Sequence, residues 1–491
     1  MFNPKGIAII GASPNYFSGG FPFLQSLLAG EYPKEWIFPI NPKYDEINGL
    51  KSYPSILDVP VSVDYCIIAV PKEKVFKALE ECVKKGVKLV CCFTSGFSEI
   101  GYVEDEKKLI EIIRKGGTRL LGPNCIGICV PKNRIIFNQG IKAGEEWAGD
   151  VGIISQSGGN ADAMMIYGTG IGVKFSKAVS YGNGADINAD EILEYFKDDD
   201  ETNVIVQYLE GFKSIEQGRN YLRILKETTK KKPVVIWQGG VTDVGKRSIM
   251  SHTGSISGDN RVIKAAFDQN GAIMVKNGGR DLLFTVLLLS KLIKHNKLMK
   301  IGRNIGAVLG GGGNNVYFAD LCTELGLNFP DFDSETLLKL KKLVGEVGTL
   351  LRNPIDLNVK MFDMTIVTQV IKLLNTLDYI DVIVFEPGLD WGIMNLKVMS
   401  KLDTSGQVDF EGMMMSNFKR LIRTVKKIEK PFILISAETF YDGDIISKRK
   451  EFEDMFRQLD IPVYNNISVM ANSIIDATRY KNYLLKTETH T

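Results

Sequence analysis

The stretch KGIAIIGAS at residues 5–13 decides the fold of the first part of the chain. A continuous apolar run ends there in a turn of small residues, and an amphipathic stretch follows at 21–30. The same order recurs in WIFPIN at 36–41, DYCIIAV at 64–70, KVFKALEECVKKG at 74–86 and KLVCCFT at 88–94. Apolar strands that alternate with helices are typical of βαβ units on a parallel sheet. We therefore expect a Rossmann-like domain over residues 1–130, with its strand ends facing a ligand.

Two further series repeat this pattern. One begins with DVGIISQSGG at 150–159 and continues through NVIVQYLEG at 203–211 and PVVIWQGG at 233–240. The other begins with NIGAVLGGGGNN at 304–315 and continues through YIDVIVFEP at 379–387 and PFILISAE at 431–438. The sequence thus predicts an α/β protein with three doubly wound domains, at residues 1–130, 145–292 and 302–475. The Lys-rich segment 292–303 is the expected linker.

Composition excludes several classes of protein. The chain has 491 residues, with 60 Lys and Arg against 58 Asp and Glu, so no excess of charge directs it to nucleic acid or to an anionic membrane. We find no signal-peptide pattern at the start and no apolar run of the roughly 20 residues that span a bilayer. The seven cysteines form no CxxC pair, and this pattern predicts buried reduced thiols. A cytoplasmic protein without a bound metal is expected.

The first glycine turn, Gly11-Ala12-Ser13, resembles a dinucleotide-binding turn but lacks the full GxGxxG spacing. NAD-binding domains carry an acidic residue at the end of the second strand, which binds the ribose hydroxyls. Here that strand ends in Asn41-Pro42-Lys43, and a lysine can pair with a phosphate. The turn therefore favours a nucleotide with a ribose phosphate, such as coenzyme A. The alternative is a turn that serves only tight packing.

The other two series open with comparable turns. Ser157, Gly158 and Gly159 precede one helical stretch, and Gly311, Gly312, Gly313 and Asn314 precede another. Exposed N–H groups at a helix N-terminus bind anions with the help of the helix dipole. Two such ends could hold one phosphate from opposite sides, although glycine-rich turns are also ordinary sheet architecture.

His252 differs from the other two histidines of the chain in its setting. It lies in KRSIMSHTGS at 246–255, where small and hydroxyl residues follow basic ones. Glu210 ends the strand-like run VIVQYLE, at the edge where open α/β sheets bind ligands. A carboxylate that accepts the Nδ1–H of an imidazole leaves Nε2 as a nucleophile. The alternatives are a structural histidine and a glutamate in an ordinary surface ion pair.

With these residues placed, the chain resembles the α subunit of ADP-forming acetyl-CoA synthetases, within the NDP-forming acyl-CoA synthetase superfamily that includes succinyl-CoA synthetase. The resemblance covers nearly the whole chain, and SHTGS around His252 is its most specific motif. It also rests on other short motifs: GIAIIGAS, INPKY, AVP, TSGFSEIG, GPNCIGI, SQSGG, YGNGADINADEILEYFKDD, YLEG, GGGGNN and NPIDL.

The resemblance implies a role for each matched residue. His252 would take phosphate from an acyl phosphate, and Glu210 would orient its imidazole. The turn at Ser157–Gly159 and the turn at 311–314 would supply the two helix ends at the phosphate, in two flavodoxin-like ligase domains. Coenzyme A would lie along Gly11, Ala12, Ser13, Lys43, Val70, Pro71, Thr94, Ser95 and Gly96. Acyl-CoA, ADP and phosphate would be interconverted with a carboxylic acid, CoA and ATP, as the histidine loop swings between two sites.

Two departures from the family pattern matter. Gln238 stands where many relatives carry a lysine, so one positive charge is missing. The three predicted domains also leave no room for an ATP-grasp domain, which implies a separate β subunit in an α2β2 assembly that binds Mg²⁺ and ADP or ATP. Two rival functions remain open at this point: a CoA-binding dehydrogenase or an acyltransferase partner that uses the first glycine turn, and a non-catalytic CoA-binding regulator or scaffold.

Overall fold

The computed structural model describes residues 1–245, 247, 260–275, 278–345, 351–402 and 410–489. The chain divides into two compact units, Met1–Val286 and Leu287–Thr491. In the described residues the strands form three larger sheets and one two-stranded ribbon, and all but one pairing in the larger sheets is parallel. The predicted α/β class with doubly wound sheets is confirmed.

The first sheet is built early in unit 1. Its strands and the ribbon are β1 (Ile7–Ile10), β2 (Ile37–Ile40), β3 (Glu46–Ile47), β4 (Leu50–Lys51), β5 (Tyr65–Ile68), β6 (Leu89–Cys92) and β7 (Arg119–Leu121), with helices α1 (Phe21–Ala29), α2 (Lys72–Lys85) and α3 (Val103–Ile113). The sheet order is β2-β1-β5-β6-β7. The order reverses between β1 and β5, and such a reversal opens a crevice at the carboxyl ends of the two strands.

The second sheet also lies in unit 1. Its elements are β8 (Gly127–Cys129), β9 (Val151–Ser155), α4 (Gly158–Ile171), β10 (Phe175–Ser180), α5 (Ala189–Asp198), β11 (Val204–Leu209), α6 (Ile215–Thr228), β12 (Val234–Gln238), α7 (Asn260–Gln269) and β13 (Ile273–Met274). The order is β13-β12-β11-β9-β10-β8, and β8 pairs antiparallel with β10. Its order reverses between β9 and β11.

The third sheet belongs to unit 2. The elements from residue 280 onward are α8 (Arg280–Lys294), β14 (Ile305–Leu309), α9 (Gly312–Glu324), α10 (Ser334–Val344), β15 (Ile355–Asp356), α11 (Met364–Asn375), β16 (Val382–Phe385), α12 (Leu389–Leu402), α13 (Phe410–Val425), β17 (Phe432–Ile435), α14 (Gly443–Arg457), β18 (Val463–Tyr464) and α15 (Ile467–Glu488). The sheet order is β15-β14-β16-β17-β18. This order reverses between β14 and β16.

The strands are apolar on both faces because helices cover both sides of each sheet. Ile7, Ile9, Val206 and Val384, for example, are fully buried. All seven cysteines are free and buried, as predicted. No helix in the described ranges combines the length and the apolarity that a membrane span requires.

One boundary differs from the sequence prediction. The linker predicted from Leu292 begins inside helix α8, which continues to Lys294. Leu288, Leu289 and Leu292 are buried, so this part of the Lys-rich segment packs as helix rather than running free. The positions of three separate domains remain a prediction.

Candidate functional site

A cavity of about 660 Å³ lies at the reversal point of the first sheet, at the carboxyl ends of β1, β2 and β5. Its shape depends on Gly11, whose φ of 95° favours glycine and which lies against the loop after β5: a Cβ there would come within 2.4 Å of the carbonyl oxygen of Ala69. Asn41 donates a hydrogen bond of 2.8 Å from its amide to the carbonyl of Ala12 and so joins the turns after β1 and β2.

Five of the nine residues predicted to contact coenzyme A line this cavity: Gly11, Ser13, Lys43, Val70 and Pro71. Ala12 is fully buried behind the turn. Thr94, Ser95 and Gly96 do not line it either. Thr94 instead supports the wall, because its hydroxyl donates a hydrogen bond of 2.6 Å to the carbonyl of Val70.

The charged residues of the cavity favour an anionic ligand. Lys43, Lys74 and Lys77 line it together with Glu73 and Glu81. Glu81 already accepts a hydrogen bond of 2.8 Å from the Ser55 hydroxyl and lies 3.8 Å from the amine of Lys77. Lys43 follows the end of β2, in the position of the acidic residue that binds ribose hydroxyls in NAD-binding domains.

The loop after β6 is held by a buried carboxylate that the sequence analysis missed. Glu99 accepts hydrogen bonds from the backbone N–H groups of Gly96 and Phe97 and from the amide of Asn183, the last at 2.6 Å. Burial raises the pKa of Glu99, but the hydrogen bonds from Gly96 and Asn183 outweigh that effect and hold the pKa below its ordinary value. The motif TSGFSEIG is thereby tied to the motif GNGADIN.

A second buried carboxylate, Glu106, extends this network. It accepts hydrogen bonds from the Ser98 hydroxyl at 2.6 Å, from the Asn183 amide at 2.9 Å and from the Lys213 amine. Lys213 lies three residues after Glu210 in the sequence. The network therefore connects the first sheet to the loop that follows β11.

In the second sheet, helix α4 begins at Gly158 with its N-terminus at the reversal point between β9 and β11. Ser157 is the N-cap, and its hydroxyl accepts a hydrogen bond of 3.3 Å from the N–H of Asn160. A Cβ added at Gly159 would meet nothing within 4 Å, so this first turn borders open space. The predicted residues 157–159 thus form the kind of helix end that binds anions.

Glu210 follows β11 at the same reversal point and is 6% exposed. Its Oε1 accepts a hydrogen bond of 3.0 Å from the Tyr208 hydroxyl, and its backbone N–H donates one of 3.0 Å to Oε1 of Gln156. Burial and the neighbouring Glu210 carboxylate raise the pKa of Tyr208, so the tyrosine stays a donor. Oε2 of Glu210 is buried and has no hydrogen-bond partner among the described residues.

His252, the predicted partner of Glu210, lies outside the described residues, so their pairing remains a prediction. Gln238, at the end of β12, pairs in register with Leu209 and is therefore close to the end of β11. Its amide donates a hydrogen bond of 3.2 Å to the side-chain oxygen of Asn260. Gln238 and Asn260 thus join the chain on the two sides of residues 248–259.

In unit 2, the glycine turn after β14 leads into helix α9, as predicted for residues 311–314. Gly311 has a φ of 88°, and its N–H donates a hydrogen bond of 3.2 Å to the carboxylate of Asp356. Asn315, in the first turn of α9, is 4% exposed, and its Oδ1 has no hydrogen-bond partner among the described residues. The turn borders a cavity of about 460 Å³ that Gly311, Gly313 and Asn314 help to line.

Glu386 lines the same cavity and was also missed. It follows β16 as Glu210 follows β11, at the reversal point of its own sheet. Its Oε1 accepts a hydrogen bond of 2.8 Å from the N–H of Gly388. Burial raises the pKa of Glu386 to about 7 against the opposing effect of backbone hydrogen bonds from Gly388 and Gly310. The strand-end signal that identified Glu210 applies equally to VIVFE at 382–386.

Two family models match the chain: a CoA binding domain over residues 5–131 and a succinyl-CoA ligase like flavodoxin domain over residues 148–288. The first range contains the cavity at the end of β1, and the second contains Ser157 and Glu210. Fold and site together define a CoA-binding protein of the acyl-CoA ligase class.

Individual relatives identify the family within this class. The chain is 36% identical over 363 residues to the alpha subunit of ADP-forming acetate–CoA ligase I from Pyrococcus furiosus, a match that covers 73% of this chain and 76% of the relative. It is 38% identical over 359 residues to the ADP-forming acetate–CoA ligase of Methanocaldococcus jannaschii, with 72% of this chain and 48% of the relative covered. The chain belongs to the family of ADP-forming acetate–CoA ligases.

A solved structure agrees with this placement. A dinucleotide-forming acetyl-coenzyme A synthetase 1 of Ca. Korarchaeum cryptofilum, in complex with phosphate and ADP, superposes with a TM-score of 0.79 at 28% identity. The match covers 99% of this chain and 98% of that chain. This chain nevertheless spans about half the length of some curated relatives, such as the one from M. jannaschii. Some family members therefore carry this part as a separate alpha subunit, and others carry it within a longer chain.

Proposed function

We propose that this chain is the CoA-binding, phosphohistidine-carrying part of an ADP-forming acyl-CoA synthetase, a ligase that interconverts acyl-CoA, ADP and phosphate with carboxylic acid, CoA and ATP. The observation that carries the proposal is the buried Oε2 of Glu210, which lacks a partner among the described residues and lies at the reversal point where α4 begins. A buried carboxylate oxygen without a donor is costly, and an imidazole N–H would satisfy it.

The first step takes place on acyl-CoA, whose coenzyme A part would be held at the cavity of the first sheet. A phosphate oxygen attacks the thioester carbonyl carbon, the C–S bond breaks, and the proton of the phosphate passes to the CoA sulfur. The N–H groups at 157–159 would bind the phosphate, and the turn at 311–314 stays a predicted second phosphate-binding turn. Acyl phosphate and free CoA result.

In the second step His252 takes the phosphoryl group. Its Nε2 attacks phosphorus, the bond from phosphorus to the acyl oxygen breaks, and the carboxylate leaves. An imidazole with an ordinary pKa of about 6.5 is neutral at pH 7.5 and needs no prior deprotonation. Glu210 accepts the Nδ1–H, which fixes the tautomer and stabilises the positive charge of the phosphorylated ring.

The third step passes the phosphoryl group to ADP, as the bond from phosphorus to Nε2 breaks. We place the nucleotide and Mg²⁺ on an ATP-grasp β subunit, in an α2β2 assembly in the cytoplasm. The name of the P. furiosus relative supports a separate partner, because it is called a subunit alpha. The division of this chain into domains at 1–130, 145–292 and 302–475 is part of the same proposal.

Neither rival function gains support. The relatives from P. furiosus and M. jannaschii are named as ligases, which argues against a non-catalytic scaffold. Lys43 occupies the strand end where a dehydrogenase needs an acidic residue, which argues against NAD.

The experiment uses labelled phosphate. The chain is incubated with acyl-CoA and ³²P-phosphate, and we expect a phosphoprotein whose label is lost in acid and retained in base. His252→Ala abolishes the label, and Glu210→Gln slows its formation about 100-fold, a typical contribution of an orienting or proton-accepting group. Glu216→Gln, in the exposed first turn of α6, is the matched control and labels at the normal rate. Label that persists in His252→Ala would contradict the proposal.

A further inference from the structure

A cavity of about 360 Å³ lies in unit 2 at the amino ends of β17 and β18. Pro431 directly precedes β17, Pro462 directly precedes β18, and both line the cavity. The glycine turn after β14 and Glu386 after β16 lie at the carboxyl ends of strands in the same parallel sheet. The cavity is therefore at the opposite edge of the sheet from the predicted phosphate-binding turn. We call it the lysine cavity, after three residues of its wall: Lys291, Lys297 and Lys426.

Part of the wall of the lysine cavity is apolar. Leu288 and Leu292 lie one helical turn apart on α8, and Val425 is the last residue of α13. Phe432 and Ile461 complete this part of the wall, and all five side chains are buried. An apolar body of a ligand could be buried against them, in a cavity whose volume is within the range of small-molecule sites.

The charges of the wall do not balance. Three lysines line the lysine cavity, and Asp460 is the only carboxylate among the described residues that line it. This carboxylate is already paired, because its Oδ1 lies 2.7 Å from the amine of Lys291 and its Oδ2 lies 2.5 Å from the amine of Lys294. Lys291 is only 8% exposed, and a buried cation requires such a partner. Asp460 therefore neutralises the lysines of α8 and leaves the other two lysines of the wall without a carboxylate.

These two lysines keep their positive charge unbalanced. The amine of Lys297 donates hydrogen bonds of 2.8 and 3.1 Å to the carbonyls of Ile428 and Lys430, which fix its position but carry no net charge. Burial and the neighbouring Lys300 hold the pKa of Lys297 below its ordinary value. The amine of Lys426 is exposed and has no acceptor in the parts of the chain that the structure describes. Both cations are available to an anion in the cavity.

His295 belongs to the same wall. Its Nε2 lies 4.0 Å from Oδ2 of Asp460. Burial lowers the pKa of His295, and although Asp460 opposes this effect, three nearby cations lower the pKa further: Lys297, Lys294 and Lys291. The imidazole thus experiences more positive than negative charge, which is the environment that an anionic ligand would neutralise.

We infer that the lysine cavity binds a phosphate monoester whose ester group is apolar. The phosphate carries about two negative charges near pH 7 and three acceptor oxygens, which match the donors of Lys297, Lys426 and His295. The single charge of a carboxylate would leave one of the two lysines unneutralised. The ester group would pack against the buried apolar side chains of α8 and β17. This ligand is additional to the acyl-CoA, phosphate and nucleotide of the proposed function.

The test uses phenyl phosphate as the probe and His295 as the reporter. The chain has only three histidines, so NMR of the full chain with ¹³C-labelled histidine can identify His295 by the signal that His295→Gln removes. In phosphate-free buffer, phenyl phosphate should shift this signal and raise the pKa of His295, because a nearby anion favours the charged imidazole. We expect phenyl phosphate to bind at least about 10-fold more tightly than inorganic phosphate, since its ring buries apolar surface.

A charge reversal separates binding in the cavity from a general effect of charge. Lys426→Glu places a negative charge in the wall at an exposed position, and we expect the affinity for phenyl phosphate to fall at least about 10-fold. Lys427→Glu is the matched control and should keep the wild-type affinity, because Lys427 is also exposed but does not line the cavity. An unshifted His295 signal at about 10 mM phenyl phosphate, equal effects of the two variants, or equal affinities for phenyl phosphate and inorganic phosphate would each overturn the assignment.

Discussion

The amide nitrogen of Asn183 lies 2.6 Å from Oε2 of Glu99, and this hydrogen bond joins two motifs that are 84 residues apart in the sequence. Glu99 in turn holds the N–H groups of Gly96 and Phe97. Asn183 also donates to Glu106, so one amide serves two buried carboxylates. The loop beside the proposed CoA site is thereby fixed from the second sheet of the same unit.

Replacement of Asn183 tests this connection. Asn183→Leu removes the donor that both carboxylates share, and we expect a loss of about 1–3 kcal/mol in the free energy of unfolding. CoA affinity, measured by calorimetry, falls as well, because the loop at 94–96 supports Val70 in the cavity wall. Asn188→Ala in the same motif is the control, since Asn188 makes no capping hydrogen bond with its side chain. Equal effects of the two changes would contradict the connection.

Lys43 is predicted to pair with the ribose phosphate of coenzyme A. Wild-type protein should then bind CoA more tightly than dephospho-CoA by about 1–3 kcal/mol, the range for hydrogen bonds to charged groups. Lys43→Gln should lose this discrimination while its affinity for dephospho-CoA changes little. Titration calorimetry with both ligands measures the difference. Lys107→Gln, which removes an exposed partner of Glu104, should keep the discrimination.

Tyr208 is predicted to position Glu210 rather than to react. Its hydroxyl donates a hydrogen bond to Oε1, so Tyr208→Phe removes this donor from the carboxylate. We expect phosphohistidine formation to slow about 3- to 10-fold while CoA affinity stays at the wild-type value. Single-turnover labelling with ³²P-phosphate measures the rate. Tyr441→Phe, at a 90% exposed position, serves as the control.

Glu386 should make the stability of unit 2 depend on pH. Its pKa in the folded protein is about 7, above the ordinary 4.5, so the folded state binds its proton more tightly and loses stability as pH rises from about 4.5 to 7. The difference corresponds to about 3 kcal/mol. Glu386→Gln removes this loss and keeps an oxygen that can accept from Gly388.

Thermal unfolding measured at pH 5 and pH 8 checks this prediction. Glu386→Gln should raise the transition temperature relative to wild type at pH 8 and have a much smaller effect below pH 5. Glu335→Gln, on the exposed side of α10, should show no such difference. A stabilisation of Glu386→Gln that is independent of pH would count against burial as its cause.

Local sequence patterns predicted the sheets and their turns because strands that are buried on both faces consist of continuous apolar runs. GIAIIGA and VIVQYLE each predict a strand and the point where it ends. Glu210 was predicted as a site residue because it stands at such a strand end. Glu386 follows an equally clear strand, VIVF, and could have been found in the same way.

Other features had no local signal. The contact between Glu99 and Asn183 depends on how two sheets pack, and no spacing in the sequence encodes it. The cavity of about 290 Å³ in unit 2 combines residues from the segment after β15, from α12 and from α13, which are distant in sequence. Ala12 belongs to the first glycine turn by sequence, yet its side chain is directed into the core.

Strand β8 has a consequence for how the chain can be divided. It follows the last strand of the first sheet but pairs with β10 of the second, and its Ile128 N–H donates to the hydroxyl of Tyr65 on β5. A cut after Cys129 would leave β8 with the first sheet and give β10 an unprotected edge, a known cause of aggregation. The short segment 127–129 therefore covers the edge of the second sheet, and gene fusions or fragments that separate the two halves of unit 1 should be cut before it, not beyond.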